Sequence, residues 1–232
     1  MADDARPLLQ GAAVHLWLAE RGDPADDRVL GAEERARAAR LQQPADRALF
    51  VLAHAVLREL LARYTGEPAA DLPLSTGAHG KPRLPPGSHD DLRFNLSHSG
   101  DAVLVALARG RDLGVDIEVV RPHDDLDAVA AQVFADDERA AIAAAGERRL
   151  DAFYALWTRK EACVKAWGRG LGIPLRAFSV LPSGGSGIVC PDDDAASRLS
   201  CRSVAMPAGY AAAVAVSGEP GDLVCRRWRA PA

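Results

Sequence analysis

Asp116 and Glu118 stand on either side of Ile117 in the run Gly114-Val115-Asp116-Ile117-Glu118, and this alternation of apolar and acidic residues predicts a strand with both carboxylates on one face. Two carboxylates so close repel each other unless a cation lies between them. Further along, Asp151 to Trp167 contains neither Gly nor Pro and is rich in helix formers, which places Glu161 and Lys165 four residues apart on one helix face. Three carboxylates and one lysine brought together would suit a hard metal ion and a phosphate group. Mg²⁺ matches the all-oxygen donor set, because it is commonly held by one or two carboxylates together with substrate phosphates and water. Zinc would ask for His or Cys. The six histidines contain no HExxH pair, and Cys163, Cys190, Cys201 and Cys225 have no CxxC spacing, so the cysteines read as four free thiols.

Each stretch also has a plainer reading. Surface strands often alternate acids for solubility, and an exposed i,i+4 pair contributes only about 0.2–0.5 kcal/mol to a helix. The surroundings favour chemistry: Trp157 lies one turn before Glu161, and the helix runs into the glycine-rich exit Gly168-Arg169-Gly170-Leu171-Gly172. Gly114 would let a backbone or a ligand approach closely. Phe94-Asn95-Leu96-Ser97-His98-Ser99-Gly100 reads as a strand end entering a polar turn, with two uses open to it. Its side chains either hydrogen-bond the local backbone, or Ser97 and His98 touch a phosphate or nucleotide. Lys81, between Gly80 and Pro82, puts a cation in a constrained turn. Arg35, Arg37, Arg40 and Arg47 form a basic stretch, either a solvated helix face or a phosphate patch. The chain has no GxxxxGK[ST], no GxGxxG between strand and helix, and no Gly-x-Ser-x-Gly. Those absences disfavour nucleoside triphosphate kinases, dinucleotide oxidoreductases and serine hydrolases.

The elements that must position these groups fall into two similar series. Ala13 to Leu18 predicts a strand, and Ala32 to Tyr64 a helical stretch that Pro44 separates into two helices. A Pro- and Gly-rich loop leads to strands at Leu92 to Leu96 and Ala102 to Ala108. After the Arg109-Gly110-Arg111-Asp112 turn come a strand at Leu113 to Val120, helices between Leu126 and Trp167, and strands near Ala177 to Leu181, Cys201 to Ala205, Tyr210 to Val216 and Leu223 to Trp228. Leu181 to Asp194 reads as a surface excursion. The expected architecture is α+β, as an N-terminal subdomain over 1–110 and a C-terminal one over 111–232 that carries the acidic motifs. With 232 residues, 48% of them apolar, there is ample core. A net charge of −4 gives no general pull toward nucleic acid or an anionic membrane, and no apolar run approaches a membrane span. The acidic start, Met1 to Gln10, reads as cytoplasmic rather than as a targeting segment.

Taken in order, Gly80-Lys81-Pro82, Phe94-Asn95-Leu96-Ser97-His98-Ser99, Gly114-Val115-Asp116-Ile117-Glu118 and Trp157-x-x-Lys160-Glu161-Ala162-x-x-Lys165 closely resemble the motif series of Sfp-type 4′-phosphopantetheinyl transferases. The resemblance implies a monomer of two α+β halves related by a pseudo-twofold axis, with coenzyme A in the cleft between them. The reaction it implies is transfer of the phosphopantetheine arm to a serine of an apo acyl or peptidyl carrier protein, as in polyketide or nonribosomal-peptide assembly, releasing adenosine 3′,5′-bisphosphate. Asp116, Glu118 and Glu161 would then bind Mg²⁺ or Mn²⁺, and Glu161 would be either a metal ligand alone or also the acceptor of the serine proton, directly or through water, two roles that pull against each other. Lys165 would meet the pyrophosphate, while Lys81, Ser97 and His98 would hold the adenosine 3′-phosphate and its neighbours, with Arg47 and the arginines before it, Arg40 among them, adding contacts. A non-catalytic carrier- or nucleotide-binding homologue and a Mg²⁺-dependent phosphodiesterase are the rival readings.

Overall fold

The computed structural model describes residues 9–76, 81–87, 89–168, 170–181, 188, 191, 198–219 and 221–230. It divides into one unit of residues 1–110 and 221–232 and a second of residues 111–220. The expected boundary is thus corrected at the C-terminus, where the last strand leaves the second half and joins the first.

The first unit contains β1 (Val14–Glu20), α1 (Ala32–Arg40), α2 (Pro44–Thr65), the short pair β2 (Ser75–Thr76) and β3 (Pro82–Arg83), β4 (Leu92–Ser99), β5 (Ala102–Arg109) and, from the far end of the chain, β9 (Leu223–Arg227). Its main sheet has the order β4-β5-β1-β9, with β9 parallel to β1 and the other neighbours antiparallel. Two things draw β9 here. Trp228 is buried in the core formed by α2 and the sheet, and its N–H donates to Leu18 O at 2.8 Å. Pro44 does separate the helices, since as the first residue of α2 it starts a helix without needing an N–H partner. Gly66, at φ 84°, ends α2 in the left-handed conformation that glycine tolerates best. Leu49, Leu52, Ala53, Val56, Leu57, Leu60, Leu61 and Tyr64 recur at helical spacing and bury one face of α2.

Glu59 is the polar exception within that helix. Its side chain is buried and Oε2 has no hydrogen-bond partner among the described residues. Burial pushes its carboxyl up to about 7 against the pull of the Arg63 guanidinium. A carboxyl raised in the folded state binds its proton more tightly there than in the unfolded chain, so stability falls as pH rises from about 4.5 to about 7. The ceiling on that loss is roughly 3 kcal/mol. Glu59→Gln is therefore expected to gain about 2 kcal/mol over the parent at pH 8 and much less at pH 5, read by denaturant unfolding at the two pH values. Equal gains at both would show that the carboxyl is not the source.

The second unit contains β6 (Leu113–Val119), α3 (Leu126–Val133), α4 (Asp136–Ala144), α5 (Arg149–Trp167), β7 (Leu199–Ser203) and β8 (Tyr210–Ser217). The antiparallel sheet has the order β6-β8-β7, and α5 lies along it. The strand expected at Ala177 to Leu181 does not form. Its polar backbone is satisfied by side chains instead: Lys160 Nζ donates to Leu175 O and Phe178 O, both at 2.6 Å, and Val180 N–H donates to Glu138 Oε1 at 2.8 Å. Most of Leu181 to Asp194 lies outside the described residues, as do Gly80, Arg169 and Cys190. Among the described residues, no helix is long and apolar enough to cross a membrane.

Lys160 and Glu138 form an ion pair at 2.8 Å with both side chains 0% exposed. The ammonium also lies 4.3 Å from the centre of the Phe178 ring, and the carboxylate accepts from Ala135 N–H as well as from Val180. Every oxygen of this carboxylate thus has a donor, which a buried charge requires. Removing only the lysine would strand the anion and two carbonyls. Lys160→Met is expected to cost about 3 kcal/mol of stability by denaturant unfolding. A loss below about 1 kcal/mol would mean that the segment after α5 is held by something else.

Candidate active site

The acidic strand and the lysine-bearing helix meet because Gly114 has no side chain. Gly114, Asp116 and Glu118 share the face of β6 that meets α5, and a Cβ on Gly114 would stand 2.0 Å from Ala162 O and 2.4 Å from Ala166 N. Of the two approaches expected at this glycine, the one seen is that of helix backbone. The neighbouring strand continues the shallow bed, with Gly114 opposite Ala215 and Asp116 opposite Ala213. Helix periodicity then carries Glu161 and Lys165 over the carboxylates.

Lys165 Nζ donates to Asp116 Oδ1 at 2.6 Å and to Val115 O at 3.2 Å. The Asp116 side chain is 4% exposed and that of Lys165 29%. Burial, then the charge of Asp116, and to a smaller extent that of Glu118, push the Glu161 carboxyl up, while Lys165 pulls it down. Glu161 therefore senses all three of the other predicted groups. Among the described residues, no three His, Cys, Asp or Glu side chains are gathered tightly enough to enclose a metal ion. The near oxygen of Asp116 faces an ammonium. After Glu161 and Lys165 the helix ends at Gly168, φ 69°, whose N–H donates to Val164 O, and a single tight turn follows at Gly170–Gly172.

The remaining predicted residues belong to the first unit and separate into groups. A cavity of about 450 Å³ is lined by Arg37, Arg40, Phe50, His54, Ser75 and Pro82, with Lys81 next in the chain to Pro82. His54 stacks on Phe50 with ring centres 4.0 Å apart, and the Arg37 guanidinium lies 5.5 Å from the Phe50 ring. Glu34 ties this wall together, accepting from Gly31 N–H at 2.6 Å and from Arg58 Nε at 2.5 Å and bonding His54 Nδ1 at 3.0 Å. Those bonds hold its carboxyl down at about 2 despite burial. Arg47 is not part of the lining; it donates to Leu41 O at 3.0 Å, closing the end of α1. Ser97 and His98 occupy successive positions of β4, which runs on to Ser99 before turning at Gly100, so they point to opposite faces, Ser97 buried and His98 exposed. The polar turn expected at Ser97 is thus one strand segment later, because the ladder continues through Ser97 opposite Leu104 and Ser99 opposite Ala102.

Two arrangements escaped the sequence reading. The Lys160–Glu138 pair had a visible signal, since Lys160 interrupts the apolar row Phe153, Leu156, Cys163 and Trp167. The Glu34–His54–Arg58 group had only a partial one: His54 and Arg58 are four apart on α2, but Glu34 lies on another helix.

Residues 112–215 match the 4′-phosphopantetheinyl transferase superfamily and residues 25–110 the 4′-phosphopantetheinyl transferase N-terminal family. The 4′-phosphopantetheinyl transferase HetI of Nostoc sp. is 33% identical over 165 residues, which cover 68% of this chain and 70% of HetI. Sfp of Bacillus subtilis is 33% identical over 149 residues, 64% of each chain. AcpT of Salmonella typhi is 44% identical over 108 residues, 46% of this chain and 55% of AcpT. The chain thus spans between about half and 70% of the length of these relatives. The paired matches and the identity to HetI along most of its length show that the chain belongs to the 4′-phosphopantetheinyl transferase superfamily.

Proposed function

We propose that this chain transfers the 4′-phosphopantetheine arm of coenzyme A to a serine hydroxyl of an apo acyl or peptidyl carrier protein in the cytoplasm, releasing adenosine 3′,5′-bisphosphate. The observation that carries the reading is the meeting of Asp116, Glu161 and Lys165 where α5 crosses β6. In the reaction, the serine oxygen forms a bond to the phosphorus that bears pantetheine, and the bond from that phosphorus to the bridging oxygen breaks. Glu161 takes the serine proton. Its carboxyl is lifted by burial and by Asp116, which makes it a stronger proton acceptor than an exposed glutamate. Lys165 stands ready to neutralise the charge that gathers on the departing phosphate.

Asp116, Glu118 and Glu161 are the residues we assign to Mg²⁺, or to Mn²⁺. The donor chemistry fits: all three supply hard oxygens, and the repulsion felt by Glu161 is what a divalent cation relieves. When bound, the ion would stabilise the negative charge growing on the pyrophosphate oxygens. In the first unit, the Phe50–His54 stack with Arg37 and Arg40 has the chemistry for the adenosine 3′-phosphate end of coenzyme A, an aromatic face beside guanidiniums. Lys81, Ser97 and His98 remain assigned to the same end. Arg47, engaged with the end of α1, is assigned a supporting place.

Intact-protein mass spectrometry of apo carrier proteins incubated with the chain, coenzyme A and Mg²⁺ tests the proposal. The expected result is a phosphopantetheine-sized mass gain that chelator abolishes. Intact coenzyme A and no gain across several carriers would point to a binding-only homologue. Coenzyme A cleaved without an acceptor would mark a hydrolase.

A further inference from the structure

We propose that Cys163 and Cys201 are a redox-responsive pair whose disulfide draws α5 across its sheet and switches transfer down; the effect on transfer rests on the reading of α5 as the catalytic helix. Cys201 Sγ donates to Arg159 O at 3.7 Å, one turn before Cys163, which sets its sulfur against the turn of α5 that carries Cys163. Both are free thiols, Cys163 buried and Cys201 half-buried, so only Cys201 is open to an oxidant.

The sheet register gives this contact its consequence. Gly114 of β6, Ala215 of β8 and Cys201 of β7 form one row beneath α5, with Gly114 and Cys201 at its two ends. At the Gly114 end, Ala162 and Ala166 rest on the strand and Lys165 reaches Asp116. At the Cys201 end, the same turn of helix offers Cys163. A disulfide needs the sulfurs about 2 Å apart, closer than two free thiols can approach without bonding. Closing that gap pulls α5 toward β7 and therefore away from β6. Lys165 and Glu161 lie within two residues of Cys163 and move with it. A displacement near 1 Å at a reacting group can cost on the order of 10²-fold in rate.

Hydrogen peroxide serves as the oxidant, and the atoms balance in two steps. Cys201 thiol plus peroxide gives Cys201 sulfenic acid and water. Attack by Cys163 sulfur then forms the S–S bond and expels the sulfenic oxygen, which leaves as a second water with the thiol proton.

The test uses the full chain with Cys190→Ser and Cys225→Ser, so that only the pair remains. After peroxide, mass spectrometry is expected to show loss of two hydrogens and a linked peptide containing Cys163 and Cys201. Amide exchange in β6 should rise, and transfer should fall by at least about tenfold. Thiol reductant should reverse all three changes, and Cys201→Ser should stay folded, active and insensitive. Cys201 oxidised to sulfinic acid with no linked peptide would overturn the proposal. So would a linked peptide with unchanged β6 exchange and undiminished transfer. A reduced protein with no transfer would defeat the proposed function instead, while the linked peptide and the β6 exchange would still decide the switch.

Discussion

Asp116→Asn is expected to lower transfer on the order of 10³-fold while costing only about 1 kcal/mol of stability. The substitution keeps the shape of the side chain and removes its charge, so the packing of α5 on β6 is undisturbed. What is lost is the anion that holds Lys165 Nζ at 2.6 Å and that we assign to the metal. Stability changes little because Lys165 is 29% exposed and its ammonium can turn to water, unlike a fully enclosed partner. Glu161 would also lose the neighbouring charge that, after burial, does most to push its carboxyl up. Transfer rates from carrier-protein mass spectrometry, beside a thermal unfolding scan, measure both quantities. Turnover like the parent's at ordinary Mg²⁺ would remove Asp116 from the site. Unfolding of the variant would instead make its role structural.

The acidic strand and the lysine-bearing helix are legible because each is encoded locally. Period-two acids in β6 and an uninterrupted helix in α5 fix which residues share a face, whatever the rest of the chain does. Pro44 marked the start of α2 for the same reason, since its effect falls on its own turn. The misreadings all involve partners distant in sequence. Ala177 to Leu181 has the composition of a strand, yet its backbone is claimed by Lys160 and Glu138, side chains of two different helices. The segment Leu223 to Trp228 has the pattern of a strand and forms one, but it pairs with β1 in the first unit, because Trp228 belongs to the core of α2 and nothing local shows that.

Gly114→Ala should be the most damaging single methyl group in the second unit, costing about 4 kcal/mol or more. A Cβ at this position would stand 2.0 Å from Ala162 O, 2.4 Å from Ala166 N and 2.9 Å from Lys165 C, all of them helix backbone. A flexible side chain could swing aside, but hydrogen-bonded helix backbone moves only as a unit. The whole of α5 would have to lift off β6, thinning its contacts with Ala213 and Ala215 in the second core. Glu161 and Lys165 would withdraw from Asp116 in the same movement, so the surviving folded fraction should also transfer poorly. The two consequences separate experimentally: denaturant unfolding reports the lost stability, and transfer per folded molecule at low temperature reports the lost geometry. A variant with the parent's stability and rate would show that α5 has room to spare over β6, and the account of how this helix is held in place would fall.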